Sequence, residues 1–239
     1  MRSKYQGFTL TELLIVIAIV AIMAAIAFPN MSQWIASRRA AGQAEQVANL
    51  LRFARGEAVR LNLPVYVCPA QIKVDGNPDN YCETEYEGQG MVAFADTNKD
   101  GGYTRDTDID LRTVILNAKD KEQLCYLFET YDFNGNKQKN GNKPNNCDED
   151  KKNGNTVWAF YPNGTFGHAA ATDGTFTIGG GFVKIAVTDA AAKDEDDNTK
   201  ASRASILLID SSGRVRKCES GATETIAKLC KYKDEQPSP

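Results

Sequence analysis

Histidine is almost absent: His168 is the only one in 239 residues. A zinc site would have to be built almost wholly from cysteine. No two of the six cysteines, Cys68, Cys82, Cys125, Cys147, Cys218 and Cys230, show the C-x-x-C spacing usual for such a site. A hydrolase triad needs a base, an orienting acid and a nucleophile held together. His168 follows Gly167 in a stretch that reads as a loop, and no serine or cysteine sits in a nucleophile motif. The chain is therefore not read as an enzyme, and no cofactor is expected. A large net charge is lacking too, the formal value being −3, so bulk charge does not mark a nucleic-acid binder. There is no internal repeat.

What remains is an ordinary globular composition, 42% hydrophobic and 25% charged, long enough for one substantial domain with an extension. Charge is unevenly spread. Residues 30–60 carry five arginines against two glutamates, whereas acid gathers at Asp148–Asp150 and Asp194–Asp197. An even number of cysteines favours disulfides if the domain is exported.

The amino terminus argues for export. Leu13–Phe28 is sixteen apolar residues without a charge. With the residues from Phe8 onward it makes a helix about long enough to cross a bilayer, at ~1.5 Å per residue. Arg2 and Lys4 precede it, which keeps the amino terminus cytoplasmic and sends the rest outward. Glu12 sits at the edge of this run. A carboxylate there costs roughly 2–3 kcal/mol to place in a membrane, so it needs a partner or an interfacial position.

Gly7-Phe8-Thr9-Leu10-Thr11-Glu12, with Pro29 beyond it, resembles the class III leader of type IV pilins and pseudopilins. The resemblance implies cleavage after Gly7 by a prepilin peptidase and N-methylation of Phe8. It also implies that Glu12 pairs with the Phe8 amine of a neighbouring subunit, and that Pro29 bends the helix without ending it. Motifs further along are similar to the H-type pseudopilin and minor-pilin group (GspH, FimT and FimU-like): Arg55-Gly56-Glu57-Ala58-Val59-Arg60, Val92–Gly101, Phe160–Phe166 and Ser212-Gly213-Arg214-Val215-Arg216. The implied organisation is a leader at 1–7, a transmembrane and filament-core helix at 8–29, its amphipathic half at 30–62, and a periplasmic domain at 63–239. The expected fold class is α+β, a long helix packed on an antiparallel β-sheet or sandwich. The expected location is the inner membrane, single-pass, and then an extracellular pilus. Expected partners are other minor and major pilins, prepilin peptidase, the inner membrane and, in one reading, DNA.

Residue patterns fill in the domain. Ala44, Val47, Ala48, Leu51, Ala54 and Ala58 recur at helical spacing and predict a face packed on the domain. Arg38, Arg39, Arg52 and Arg55 fall elsewhere on the helix, either solvated or meeting acidic neighbours. Strands are predicted at Leu63–Cys68, Met91–Ala95, Leu111–Leu116, Leu124–Phe133, Thr156–Tyr161, Thr175–Ile178, Phe182–Val187 and Ser205–Asp210. Gln138–Asn155 reads as a polar loop and Thr188–Lys200 as an acidic hairpin loop. Six cysteines allow fifteen connectivities. Closure of short loops is entropically cheap, which favours Cys68–Cys82, Cys125–Cys147 and Cys218–Cys230.

Two patches have competing readings. Asp96, Asn98, Asp100 and Gly101 imitate the opening of a calcium loop, but Thr107 stands where the bidentate glutamate belongs. The alternative is a polar turn capped by its own side chains. Arg214 and Arg216, on one face of a strand, and Lys217 beside them, form a basic segment with Lys228, Lys231 and Lys233 as possible helpers. This segment either binds DNA phosphates, as in the competence-linked FimT-like tails it resembles, or pairs with protein carboxylates. The functional readings are a tip-located minor pilin supporting assembly initiation, twitching, adhesion or DNA uptake, a type II secretion pseudopilin, or a DNA receptor for natural transformation. A major pilin is disfavoured because the long loops would crowd a helical lattice.

Overall fold

The structure, a computed structural model, describes residues 9–117, 123–138, 156–169, 174–192, 196–218 and 224–232, apart from the side chains at 26–30, 197, 224 and 225. The first element, α1 (Leu10–Leu61), is a single helix of 52 residues. It continues through position 29, so Pro29 does not end it. It stops at Asn62, whose left-handed backbone (φ 55°) ends the hydrogen-bond ladder as asparagine or glycine does after many helices.

Twelve strands follow among the described residues. They are β1 (Val65–Pro69), β2 (Gln71–Ile72), β3 (Pro78–Asp79), β4 (Gly90–Ala95), β5 (Ile109–Ile115), β6 (Leu124–Tyr131), β7 (Val157–Phe160), β8 (Phe166–Ala169), β9 (Thr177–Ile178), β10 (Phe182–Asp189), β11 (Ser205–Asp210) and β12 (Val215–Lys217). Two short helices, α2 (Asp197–Arg203) and α3 (Glu224–Leu229), lie near the carboxy end. The fold is α+β and its strand pairs are antiparallel. One sheet runs β5-β4-β1-β7-β8-β9 and a second β12-β11-β10-β6, with a small β2-β3 pair apart. All eight predicted strands are present. The acidic loop expected at 188–200 is corrected: β10 extends to Asp189 and α2 begins at Asp197. Asp196 caps α2 by accepting from the backbone N–H groups of Asn198 and Thr199.

Both sheets turn one face inward on a common core with α1. Val65, Val67, Met91, Ala93, Trp158 and Phe160 come from the first sheet. Tyr126, Phe128, Val183, Ile185, Leu207 and Ile209 come from the second. The predicted helical face is there: Ala44, Val47, Ala48, Leu51, Ala54 and Ala58 are all fully buried. Alanines at four of these positions let the sheets approach the helix closely.

The opposite faces of the sheets are covered as well. On the first sheet, Tyr66, Cys68, Val92 and Phe94 lie beneath Ile72, Tyr81, Cys82 and Tyr103. On the second, Leu208 and Tyr131 lie beneath Leu229, Ile226 and the cystine of Cys218 and Cys230. A disulfide ties down each cover, Cys68–Cys82 over one sheet and Cys218–Cys230 over the other. Cys125 is also disulfide-bonded; its expected partner Cys147 lies outside the described residues.

Candidate assembly interface

The amino end of α1 is set by local chemistry. Thr9 has extended backbone, and its Oγ1 accepts from the Glu12 backbone N–H at 3.2 Å while its carbonyl accepts from Leu13 N–H at 3.2 Å. Thr9-x-x-Glu12 is thus a capping-box sequence with Glu12 in the first turn, where a carboxylate complements the helix dipole. Glu12 therefore has a local reason to be there besides any intermolecular one. Gly7 and Phe8 lie outside the described residues.

From this cap the helix presents apolar side chains on every side. Leu10, Leu13, Leu14, Ile15, Val16, Ile17, Ile19, Val20, Ile22 and Met23 are 52–75% exposed. A helix that is apolar all round belongs in an apolar surround. Among the described residues no helix is long and apolar enough to cross a membrane. The described side chains of this run stop at Ala25, short of its sequence end at Phe28. Past Pro29 the helix becomes two-faced. Ala36 and Ala40 are buried, while Met31, Trp34 and Ile35 stay exposed and the Arg38 guanidinium lies 5.4 Å over the Trp34 ring. Arg52 pairs with Glu45 at 2.8 Å and Arg60 with Glu57 at 2.5 Å, so these two cations already have partners on the helix itself.

The basic segment near the carboxy end is divided by strand geometry. Arg214 and Arg216 are exposed on one side with Val215 turned into the core between them, and Lys217 takes the side opposite Arg216. The β11–β12 turn is built around Asp210, which accepts from the backbone N–H of Ser212 and of Arg214, both at 3.0 Å, and from the Ser212 hydroxyl at 2.6 Å. Arg216 lies 3.9 Å from Asp210. Burial raises the Asp210 pKa, but these donors and Arg216 outweigh it and hold the carboxyl below its ordinary value. Gly213 is required here: its φ is +70°, and a Cβ would stand 2.9 Å from the Phe160 ring. Of the possible helpers, Lys228 and Lys231 are described and Lys233 is not.

Around the calcium-like loop, Asp96, Asp100 and Asp108 bring carboxylate oxygens within 4.8 Å of one another. Those oxygens hold the loop itself. Asp96 accepts from Lys99 and Gly101 N–H at 2.6 and 3.0 Å, and Asp108 from Thr97 and Thr104 N–H at 2.8 and 2.6 Å. Asp100 accepts from Gly102 N–H and from the Asn98 amide. These are the hydrogen bonds of a polar turn capped by its own side chains. The reading of His168 as a loop residue is corrected: it lies in β8, paired with Trp158, 4% exposed and with no hydrogen-bond partner for Nδ1. Burial pushes its pKa below the ordinary value.

One cluster escaped the sequence reading. Lys184 on β10 is fully buried and stands opposite Glu129 on β6, with Lys184 Nζ 3.1 Å from Glu129 Oε2. Tyr131 donates to the same oxygen at 2.6 Å, and Lys137 donates to Oε1. In sequence both residues occupy the outward phase of their strands, which reads as solvated. Tyr131, the turn that carries Lys137 and the segment over the second sheet cover that face.

Comparison with known proteins adds the following. The family model described as type II transport protein GspH matches residues 43–213, and that of the prokaryotic N-terminal methylation motif matches residues 2–28. A type IV wide pilus major component, PilA4, of Thermus thermophilus is 31% identical over 121 residues, covering 44% of this chain and 90% of that protein. Two crystal forms of the type IV minor pilin FimU of Pseudomonas aeruginosa align at 15% identity with TM-scores of 0.40 and 0.37. They cover 77% and 76% of this chain and 92% and 94% of theirs.

Proposed function

We propose, from the premise that the chain belongs to the GspH family of pilin-like proteins and carries the N-terminal methylation motif, that it is a minor pilin of a type IV pilus. It acts at or near the tip, where it helps start assembly of a filament serving twitching, adhesion or DNA uptake. The observation that carries this reading is the unequal burial along α1. The amino-terminal half offers an apolar surface that nothing in the described chain covers, and the carboxy-terminal half is the spine of a folded domain. Such a chain inserts in the membrane first and then exchanges lipid for the apolar helices of neighbouring subunits. Glu12 pairs with the new Phe8 amine of a neighbour as the helices come together. Mass spectrometry of membrane-derived protein tests the premise: the mature chain is expected to begin at Phe8 and to carry one added methyl. An intact Met1, or cleavage after Ala27, overturns the reading.

The family description favours a second reading, a pseudopilin of a type II secretion system, which uses the same helix in the same way. Co-purification with pilus subunits, as against secretion-system subunits, separates the two. DNA capture by Arg214 and Arg216 is the weaker extension, since Asp210 holds the turn that presents them and Arg216 already faces it.

A further inference from the structure

We infer that a second copy of this chain docks head to tail on the first, the Phe133 turn of one copy seating in an apolar groove beside β5 of the next. The inference rests on the reading of the chain as a filament subunit. Strand order gives the domain two poles. β1 begins at Val65, just after α1 ends at Leu61, so Val65 lies at the pole far from the apolar run. Its pairings carry Ala95 and Phe160 to that far pole, and Pro69 with Met91 to the near one. Ile115 pairs with Gly90, beside Met91, and so stands at the near pole, where Arg39 and Gln43 of α1 share a hollow with it. Asn117 donates to the Leu124 carbonyl at 2.9 Å, which starts β6 at the near pole and brings Asp132 and Phe133 out at the far one. β5 and β6 are edge strands of their sheets, so knob and groove lie on one flank.

Phe133 is 60% exposed and sets an edge against Phe182, with ring centroids 6.3 Å apart. Asp132 fixes its turn by accepting from the backbone N–H groups of Asn134 and Asn136 at 2.9 and 2.8 Å. The knob is therefore ordered before a partner arrives, which lowers the entropy lost on docking. The groove, about 650 Å³, is lined by Ile72, Val74 and Ile115 with Gln71 and Gln89 among its polar residues. Val74 is fully exposed and Ile115 half-exposed, although Lys73 N–H holds the hairpin turn by donating to the Asn77 carbonyl at 2.9 Å. Knob and groove are different surfaces at opposite ends of one axis. Such a contact is heterologous: it does not close on itself but repeats along a line. β6 spans about 27 Å, so a stacked copy is displaced by roughly 18 residues of helix. Leu13 and Ile17 of the upper copy then come level with Met31 and Ile35 of the lower one, and all four are exposed in the single chain. One displacement brings both pairs of uncovered apolar surfaces together.

The test uses the full chain in detergent, with self-association followed by sedimentation velocity over a concentration series. The wild type is expected to form dimers and longer species. Phe133→Asp disables the knob and Val74→Asp the groove, and each is expected to weaken association at least tenfold. Both side chains are exposed, so thermal unfolding of each variant is expected to match the wild type. An equimolar mixture of the two variants is expected to regain a dimer and nothing longer, because the intact knob of one fits the intact groove of the other. With both variants folded, no dimer in the mixture overturns the contact. Association that neither substitution weakens overturns it as well, since the apolar runs alone then hold the copies. A monomeric wild type that still enters filaments overturns the stacking and leaves the pilin reading standing. Dimers that behave as expected in a chain absent from filaments overturn that reading alone.

Discussion

The two halves of α1 are built from similar material and have opposite fates. Leu13, Ile17 and Val20 are as apolar as Val47, Leu50 and Leu51, yet the first three are more than half exposed and the last three fully buried. The difference lies in what faces them. Two sheets close on the carboxy-terminal half, whereas the described chain offers the amino-terminal half nothing. Burial of a leucine or isoleucine contributes ~1.5–3 kcal/mol, so several of them left uncovered are a large free energy awaiting another molecule. Hydrophobic pattern tells both halves to leave water; only the cover differs, this domain for one and nothing among the described residues for the other.

Substitution in each half tests that contrast most strongly. Leu51→Ala removes a fully buried side chain and is expected to cost the domain about 2–5 kcal/mol in denaturant unfolding. Ile17→Ala is expected to leave the domain's unfolding unchanged and to lower recovery in filaments. Equal losses of domain stability from the two would show that the amino-terminal half has a partner inside the chain.

The two covers allow the next comparison. Replacing Cys218 and Cys230 by serine is expected to cost about 2–5 kcal/mol, as loss of a native bridge usually does. Hydrogen exchange is expected to speed at β10 around Lys184 and to stay unchanged at β1. Replacing Cys68 and Cys82 is expected to give the reverse pattern. A uniform change across both sheets would mean that the covers act as one unit.

A smaller effect separates two roles of Glu12. The Thr9 cap uses the Glu12 backbone N–H and survives either substitution, so what Glu12→Gln removes is the charge that complements the helix dipole, about 0.3–1 kcal/mol. Both Glu12→Gln and Glu12→Ala are expected to insert in membranes and to enter filaments poorly. Normal incorporation of Glu12→Gln would leave only the local role at the helix amino end.

Acid has the smallest effect, and it divides the two sheets. His168, in the first, has a pKa depressed by burial, so the unfolded chain binds its proton first. Stability is then expected to fall as pH drops below the ordinary value of 6.5. Glu129, in the second, is raised by burial but lowered more by Lys184, Lys137 and Tyr131. Its contribution is present above the ordinary value of 4.5 and is lost as pH falls through the lower folded value. Thermal melts across pH are expected to show a shallow upper decline that His168→Gln removes and a lower one that Glu129→Gln removes. A single decline unaffected by His168→Gln would place another group in the upper window.

Much was legible in the residues. Period-3.6 spacing marked the buried face from Ala44 to Ala58, because one stripe of a helix meets one core. Eight strands were legible because branched and aromatic residues run between turn residues; β2, β3, β8 and β12, all of four residues or fewer, were not. The neighbour pairing in Cys68–Cys82 and Cys218–Cys230 depends on short stretches of chain, so local chemistry determined it. What the tertiary structure alone decided involves segments far apart in sequence. His168 read as a loop residue because glycine and small residues flank it, and it became a buried strand residue when β7 supplied a ladder. Arg214, Arg216 and Lys217 read as one basic patch, but pleating turned Lys217 to the other side, where Arg38 stands 179 positions earlier in the chain. Lys184 and Glu129 sit at outward positions of their strands, and a sequence holds no sign that a distant disulfide-closed segment will fold over them. Periodicity reports which side of an element faces inward; what covers the other side is settled only when remote segments pack.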